Sequence, residues 1–247
     1  MDFTRVIFEK PLLSILYMML SALSILLAVS LIKYYFKSRK LVAKYLAASL
    51  LFIGVSTCFY FITFVIYLNY GANSFLFAKF AGVSNLLLGI GMCFAVLYLH
   101  IMVYRSIKLY LVFLYFLPII IIALNMTFIY DFNLVRLISG TMYLIIILLL
   151  SAYLALFAKY LIKELFKKQK LLPEIKLGFV TYMISIGLAG LAIVSQIFAN
   201  LLKVPLYSWT AVLSTISGSI ALILLYLPTT LPSWYIKLAR SLFRYSS

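Results

Sequence analysis

Acidic side chains are nearly missing from this chain: Asp2, Glu9, Asp131, Glu164 and Glu174 are all it has in 247 residues. None of the five lies deep in a long apolar run, which speaks against proton pumping and charge-coupled transport, both of which use carboxylates at membrane depth. Histidine is scarcer still. His100 alone cannot supply a bis-histidine haem or a His-rich metal centre; in LYLHIMVYR it reads as an interfacial or helix-to-helix hydrogen-bonding group, with pH sensing as the alternative. Cysteine stops at Cys58 and Cys93, both inside apolar stretches and therefore small buried hydrophobes rather than a disulfide or metal pair. The last apolar segment, LYSWTAVLSTISGSIALILLYLP, holds no lysine, so retinal in its usual Schiff-base linkage is excluded. No cofactor and no metal is expected, and too few titratable groups are present to tune a catalytic site.

What fills the chain instead is apolar. Hydrophobic residues make up 66% and charged ones 11%, which places it outside the range of soluble domains and makes it an integral membrane protein. The N-terminus carries acids beside its bases and runs into a full-length apolar segment without a small-residue cleavage site, so the first helix is expected to stay in the mature protein. Crossing the hydrocarbon takes about 20 apolar residues, and seven stretches reach that length, at roughly 12–34, 43–68, 76–103, 109–129, 136–162, 177–200 and 206–227. The expected fold is all-α: a bundle of seven transmembrane helices over 1–232 and a short amphipathic interfacial helix over 233–247.

Lys and Arg total 21 and divide unequally between the two ends of these segments. Lys33, Lys37, Arg39, Lys40, Lys44, Arg105, Lys108, Lys159, Lys163, Lys167, Lys168, Lys170, Lys176, Lys237, Arg240 and Arg244 fall on one side. Only Arg5, Lys10, Lys79, Arg136 and Lys203 fall on the other, with three of the acids. The positive-inside rule then predicts an outside N-terminus and a cytoplasmic C-terminus in a multi-pass protein of the cell (cytoplasmic) membrane. Tyr34, Tyr35 and Tyr45 mark the inner headgroup belt, and Tyr67, Tyr70, Tyr130, Tyr207 and Trp209 the outer one. With no soluble basic domain, nucleic acid is not an expected partner. The bases instead suit an anionic inner leaflet, above all the ridge Lys163, Lys167, Lys170 and the tail residues Lys237, Arg240 and Arg244, which could also meet an acidic protein partner or a second copy in the membrane.

Connections such as YGANS and KSRK are too short to form a domain, so an external ligand must be small, lipidic, or held among the helices. Uncharged polar residues gather in the outer half of the spans: Asn85, Asn125, Gln196, Asn200, Trp209 and Thr210, with Thr63 nearby. Amides are costly in hydrocarbon unless satisfied. Either they form a hydrogen-bond network that holds the bundle or they line a pocket open to the outside. Pro118 is expected to kink the fourth span near Asn125. Thr210, Ser214 and Gly218 repeat every fourth residue, as do Ala78 and Gly82, and both sets suit tight helix contacts.

Pro228 and Pro232 are expected to stop the last span, after which Ser233 can cap a helix. Its Lys237, Arg240, Ser241 and Arg244 share one face, and Trp234, Tyr235, Leu238, Leu242 and Tyr245 the other. This is the pattern of a cationic helix lying on a membrane surface. Seven spans, minimal loops and the exit LPSWYIKLAR resemble the seven-helix sensor module found at the N-terminus of some prokaryotic sensor kinases. The resemblance implies a receptor-like, non-enzymatic role. As no phosphoacceptor or ATP-binding domain follows in this sequence, it also implies that a signal would pass to a separate protein. The alternative is a non-catalytic subunit of a larger respiratory or translocation complex. A receptor predicts a cavity; a subunit predicts a filled interior.

Overall fold

A polypeptide in hydrocarbon has no water to satisfy its N–H and C=O groups, so long apolar runs are driven into helix. The computed structural model describes residues 11–71, 74–104, 117, 119, 121–122, 132–166, 172–201 and 209–243. Among these, seven helices are present: α1 (Pro11–Ser38), α2 (Leu41–Tyr70), α3 (Phe75–Tyr104), α4 (Phe132–Phe166), α5 (Pro173–Leu201), α6 (Trp209–Thr230) and α7 (Ser233–Leu242). The first six are long and apolar enough to cross a membrane, so the chain is a polytopic helical membrane protein. The fourth expected span falls almost wholly outside the described residues. Its Leu117, Ile119, Ile121 and Ile122 are helical, and Ile119 is fully buried in the main core.

The six long helices close into a ring in which each packs on the next, from α1 through α6 and back to α1. Cross-helix bonds fix their directions. Ser21 meets Cys58 at 2.8 Å while Ile25 faces Gly54, and Ser56 donates to the Ser84 carbonyl at 2.8 Å while Ile53 faces Gly91, so α1, α2 and α3 alternate in direction. Ser185 donates to the Ala221 carbonyl at 2.7 Å and Ser214 to the Ala192 carbonyl at 3.1 Å, so α5 and α6 are also antiparallel. The pair α3 and α4 differs. Tyr143 meets Asn85 at 2.8 Å while Tyr153 meets His100 at 2.9 Å, so sequence numbers rise together and the two helices run parallel.

Without a hydrophobic driving force between helices in lipid, close backbone approach does much of the holding. A Cβ added at Gly54 would lie 2.8 Å from Ile25 Cγ1 and 3.2 Å from Ser24 Cβ; at Gly91 it would lie 3.0 Å from Ile53 Cγ1. These are the tight crossings of α1 on α2 and of α2 on α3. The Thr210, Ser214, Gly218 ladder, expected to be such a crossing, is not one at Gly218, where nothing lies within 4 Å of an added Cβ. Leu12, Leu26, Leu137, Leu148 and Ile184 are exposed on the outside of the ring, where lipid would cover them.

Pro228 does not end α6. The helix continues to Thr230, with Thr229 and Thr230 donating back to the Leu225 and Tyr226 carbonyls at 2.9 and 3.1 Å. The break comes at Leu231, whose φ of 49° lies in the left-handed region, a conformation costing a non-glycine residue about 1–2 kcal/mol. Pro232 then takes the N-cap position without a side-chain bond, so Ser233 is the first residue of α7 rather than its cap. Tyr235 also departs from the expected two-faced pattern. It and Ala239 are buried against α5, with Tyr235 bonding Thr181 at 2.8 Å, while Trp234, Leu238 and Leu242 form a separate exposed stripe. Burial raises the Tyr235 phenol above its ordinary pKa, keeping it a neutral hydroxyl.

Candidate functional site

Because the helices form a ring, its axis is a place where side chains from all of them can meet. There the structure has a cavity of about 240 Å³ whose wall draws residues from each of α1 to α6. A void of about 150 Å³ already holds one aromatic ring, so this one accommodates a small organic molecule. The wall is mainly aliphatic, with Leu20, Ile53, Leu88, Met92, Ile146, Ile186 and Leu222 along its length. It is long: Thr63 and Ser49 both line it on α2, and a separation of fourteen residues in a helix is roughly 21 Å.

Its polar groups occur at distinct levels. About a third of the way in from the Tyr70 end of α2 and from the Phe75 and Phe132 ends of α3 and α4, Tyr60 and Tyr143 both donate to Asn85 Oδ1 at 2.5 and 2.8 Å, and their own oxygens stand 2.9 Å apart. The Asn85 amide donates to the Ala81 carbonyl at 3.0 Å. Tyr17 stacks on Tyr60 with ring centroids 6.3 Å apart, bringing α1 into the same layer. Towards the Trp209 end, Gln196 lines the cavity and makes no hydrogen bond with any described residue. Towards the opposite end, Tyr98 contacts Thr229 at 2.9 Å and Tyr182 reaches the same hydroxyl at 3.4 Å, closing α3, α5 and α6 over the cavity floor. Just above that floor Ser49, only 1% exposed, also lines the wall.

The chain matches no protein-family model and no curated protein.

Of the candidate binding residues, Asn85 and Gln196 line the cavity. Thr210 is buried but off the wall, and Trp209 is 69% exposed on the outside. Asn125 lies outside the described residues, as does the Asn200 side chain. The tyrosines Tyr17, Tyr60, Tyr98, Tyr143 and Tyr182 were not expected, because tyrosine in a membrane sequence reads first as a belt residue. A signal was available: Tyr60 and Tyr143 sit about ten residues inside their helices, roughly 15 Å from the end, where a phenol needs a polar partner.

Among the described residues of the wall, no nucleophile stands beside a base. Ser217 and Ser219 of the SGS sequence donate to carbonyls of their own helix at 2.6 and 2.8 Å. His100 is buried and its Nδ1 meets Tyr153 at 2.9 Å, a helix-to-helix bond of α3 and α4. Cys93 is buried, whereas Cys58 is exposed on the ring exterior and contacts Ser21 at 2.8 Å. Among the candidate cationic contacts, Lys237 and Arg240 are exposed on α7, and Arg240 Nε donates to Glu174 Oε1 at 2.8 Å. Lys167, Lys170 and Arg244 and the Lys163 side chain lie outside the described residues.

Proposed function

We propose that this is a receptor-like, non-enzymatic membrane protein that holds a small or lipidic ligand in its central cavity and signals through a separate partner. The observation that carries the reading is the cavity itself, shared by all six long helices and marked by the Tyr60–Asn85–Tyr143 cluster and Gln196. A subunit whose polar residues serve only contacts with other proteins calls for a filled interior, which this ring does not have. The ligand-binding residues are Asn85, Gln196, Tyr60 and Tyr143.

The topology is part of the proposal. The parallel run of α3 and α4 supports a count of seven crossings, the seventh being the apolar stretch expected over 109–129. With seven crossings the two termini lie on opposite sides, and the charge asymmetry puts the C-terminus in the cytoplasm of a prokaryotic cell. Gln196 then faces the outer half of the membrane, and α7 lies at the inner surface.

A route for output follows from neighbouring residues on α5. Tyr182 touches the cavity floor through Thr229, and Thr181 beside it bonds Tyr235 of α7. A ligand that shifts the floor therefore shifts α5 against α7.

The test is extraction of the native protein from its own membranes in mild detergent, followed by native-gel separation and mass spectrometry. A single chain or homodimer is the expected result. Stoichiometric co-migration with other polytopic or cofactor-bearing subunits would overturn the receptor reading.

A further inference from the structure

The geometry points to the class of ligand: an uncharged, single-chain amphiphile whose head group is a hydrogen-bond donor, such as a long-chain alcohol or a neutral monoacyl lipid, with its hydroxyl at the Tyr60–Asn85–Tyr143 cluster. This rests on the reading of the cavity as a binding site and goes further by naming what enters it.

Charge is the first discriminator. No described residue of the wall is charged, and residues 109–129, the expected fourth span, contain no Asp, Glu, Lys, Arg or His. A carboxylate, phosphate or ammonium carried into this space would lose its hydration without gaining a counter-ion. Shape is the second. The cavity is long and narrow, with an aliphatic wall between the polar cluster and the tyrosine floor, which suits one alkyl chain better than a compact polar molecule.

Proton count is the third. Three oxygens, those of Tyr60, Tyr143 and Asn85, make three mutual contacts between 2.5 and 2.9 Å. Each phenol has one proton and the amide oxygen has none. With both protons directed at Asn85 Oδ1, the contact between the two phenol oxygens has no proton of its own, and the Tyr143 oxygen retains lone pairs. A ligand hydroxyl can donate to a Tyr143 lone pair, whereas an ether or ester oxygen at the same place brings a further acceptor to phenols whose protons are already directed at Asn85. Gln196, one level further out, offers both donor and acceptor to whatever the head group carries beyond its hydroxyl.

The test uses the full chain in lipid nanodiscs and a set of photoreactive probes with one common alkyl chain, ending in a hydroxyl, a methyl ether, a carboxylate or a quaternary ammonium. Labelled peptides are mapped by mass spectrometry. Two variants accompany the wild type: Tyr143→Phe, which removes the acceptor, and Gly218→Phe, which fills the cavity from a position where an added Cβ meets nothing within 4 Å. The alcohol is expected to label cavity-lining segments of α2 to α4. The ether and the Tyr143→Phe variant should each weaken half-saturation about fivefold, as expected for one hydrogen bond. Both charged probes should label weakly, and Gly218→Phe should abolish cavity labelling. Equal or better labelling by a charged probe or the ether, still lost in Gly218→Phe, overturns the ligand class and leaves the cavity as a site. No cavity labelling by any probe, or labelling indifferent to Gly218→Phe, overturns the binding site as well.

Discussion

Two glycines, Gly54 on α2 and Gly218 on α6, have opposite jobs, and substituting each by alanine separates them. At Gly54 the new methyl would press on Ile25 and Ser24 at 2.8 and 3.2 Å, so Gly54→Ala should push α1 from α2 and cost about 1–3 kcal/mol. At Gly218 the methyl meets nothing, and Gly218→Ala should stabilise α6 by about 0.5–1 kcal/mol through helix propensity. Thermal unfolding of the two purified variants in one detergent checks both, and equal shifts would contradict the packing described above. Asn85 makes a different prediction. Asn85→Leu removes the common acceptor of two phenols and should lower stability by about 1–2 kcal/mol, the upper range for hydrogen bonds between membrane helices. Of these roles only that of Asn85 was legible from sequence, because an amide in hydrocarbon demands partners. Gly218 was read as a contact residue since its spacing from Thr210 and Ser214 is that of a tight crossing; which face of α6 turns inward is a rotation that spans alone do not fix. The tyrosines were hidden for a related reason: the same residue type serves the headgroup belt and the interior, and only depth along the helix tells them apart.

At the scale of elements, the helices themselves were readable because hydrocarbon leaves the backbone no alternative, and the expected spans overlap α1 to α6 throughout. Their ends were less so. The last span was expected to stop at Pro228, but a proline near a C-terminus leaves only the Leu224 carbonyl without its helical partner, and the threonines that follow carry the helix one short step further. The tail helix α7 was visible as amphipathic, yet its docking through Tyr235 and Ala239 depends on α5 lying underneath, which no local pattern encodes. That docking is testable in proteoliposomes with trypsin, which cuts after Lys237 and Arg240. Tyr235→Phe, losing the bond to Thr181, should speed cleavage within α7 about fivefold. Glu174→Arg should do likewise, and combining it with Arg240→Glu, which removes one tryptic site, should restore part of the protection at Lys237. If neither single variant alters the cleavage rate, α7 is not held by these contacts.

Orientation in the membrane and the contents of the cavity belong to the molecule as a whole. Seven crossings with an outside N-terminus place Ser74, between α2 and α3, outside the cell and Arg39, between α1 and α2, inside. A membrane-impermeant maleimide should therefore label Ser74→Cys in intact cells and Arg39→Cys only after lysis, in a background where Cys58 and Cys93 are serine; the reverse pattern would invert the topology. The claim about contents is the central one, and native mass spectrometry of wild type and Gly218→Phe, each taken from its own membranes, tests it most directly. Wild type should retain one small molecule per chain that Gly218→Phe lacks while remaining folded. A bare wild-type chain, or a bound mass that survives the filled cavity unchanged, would contradict the account.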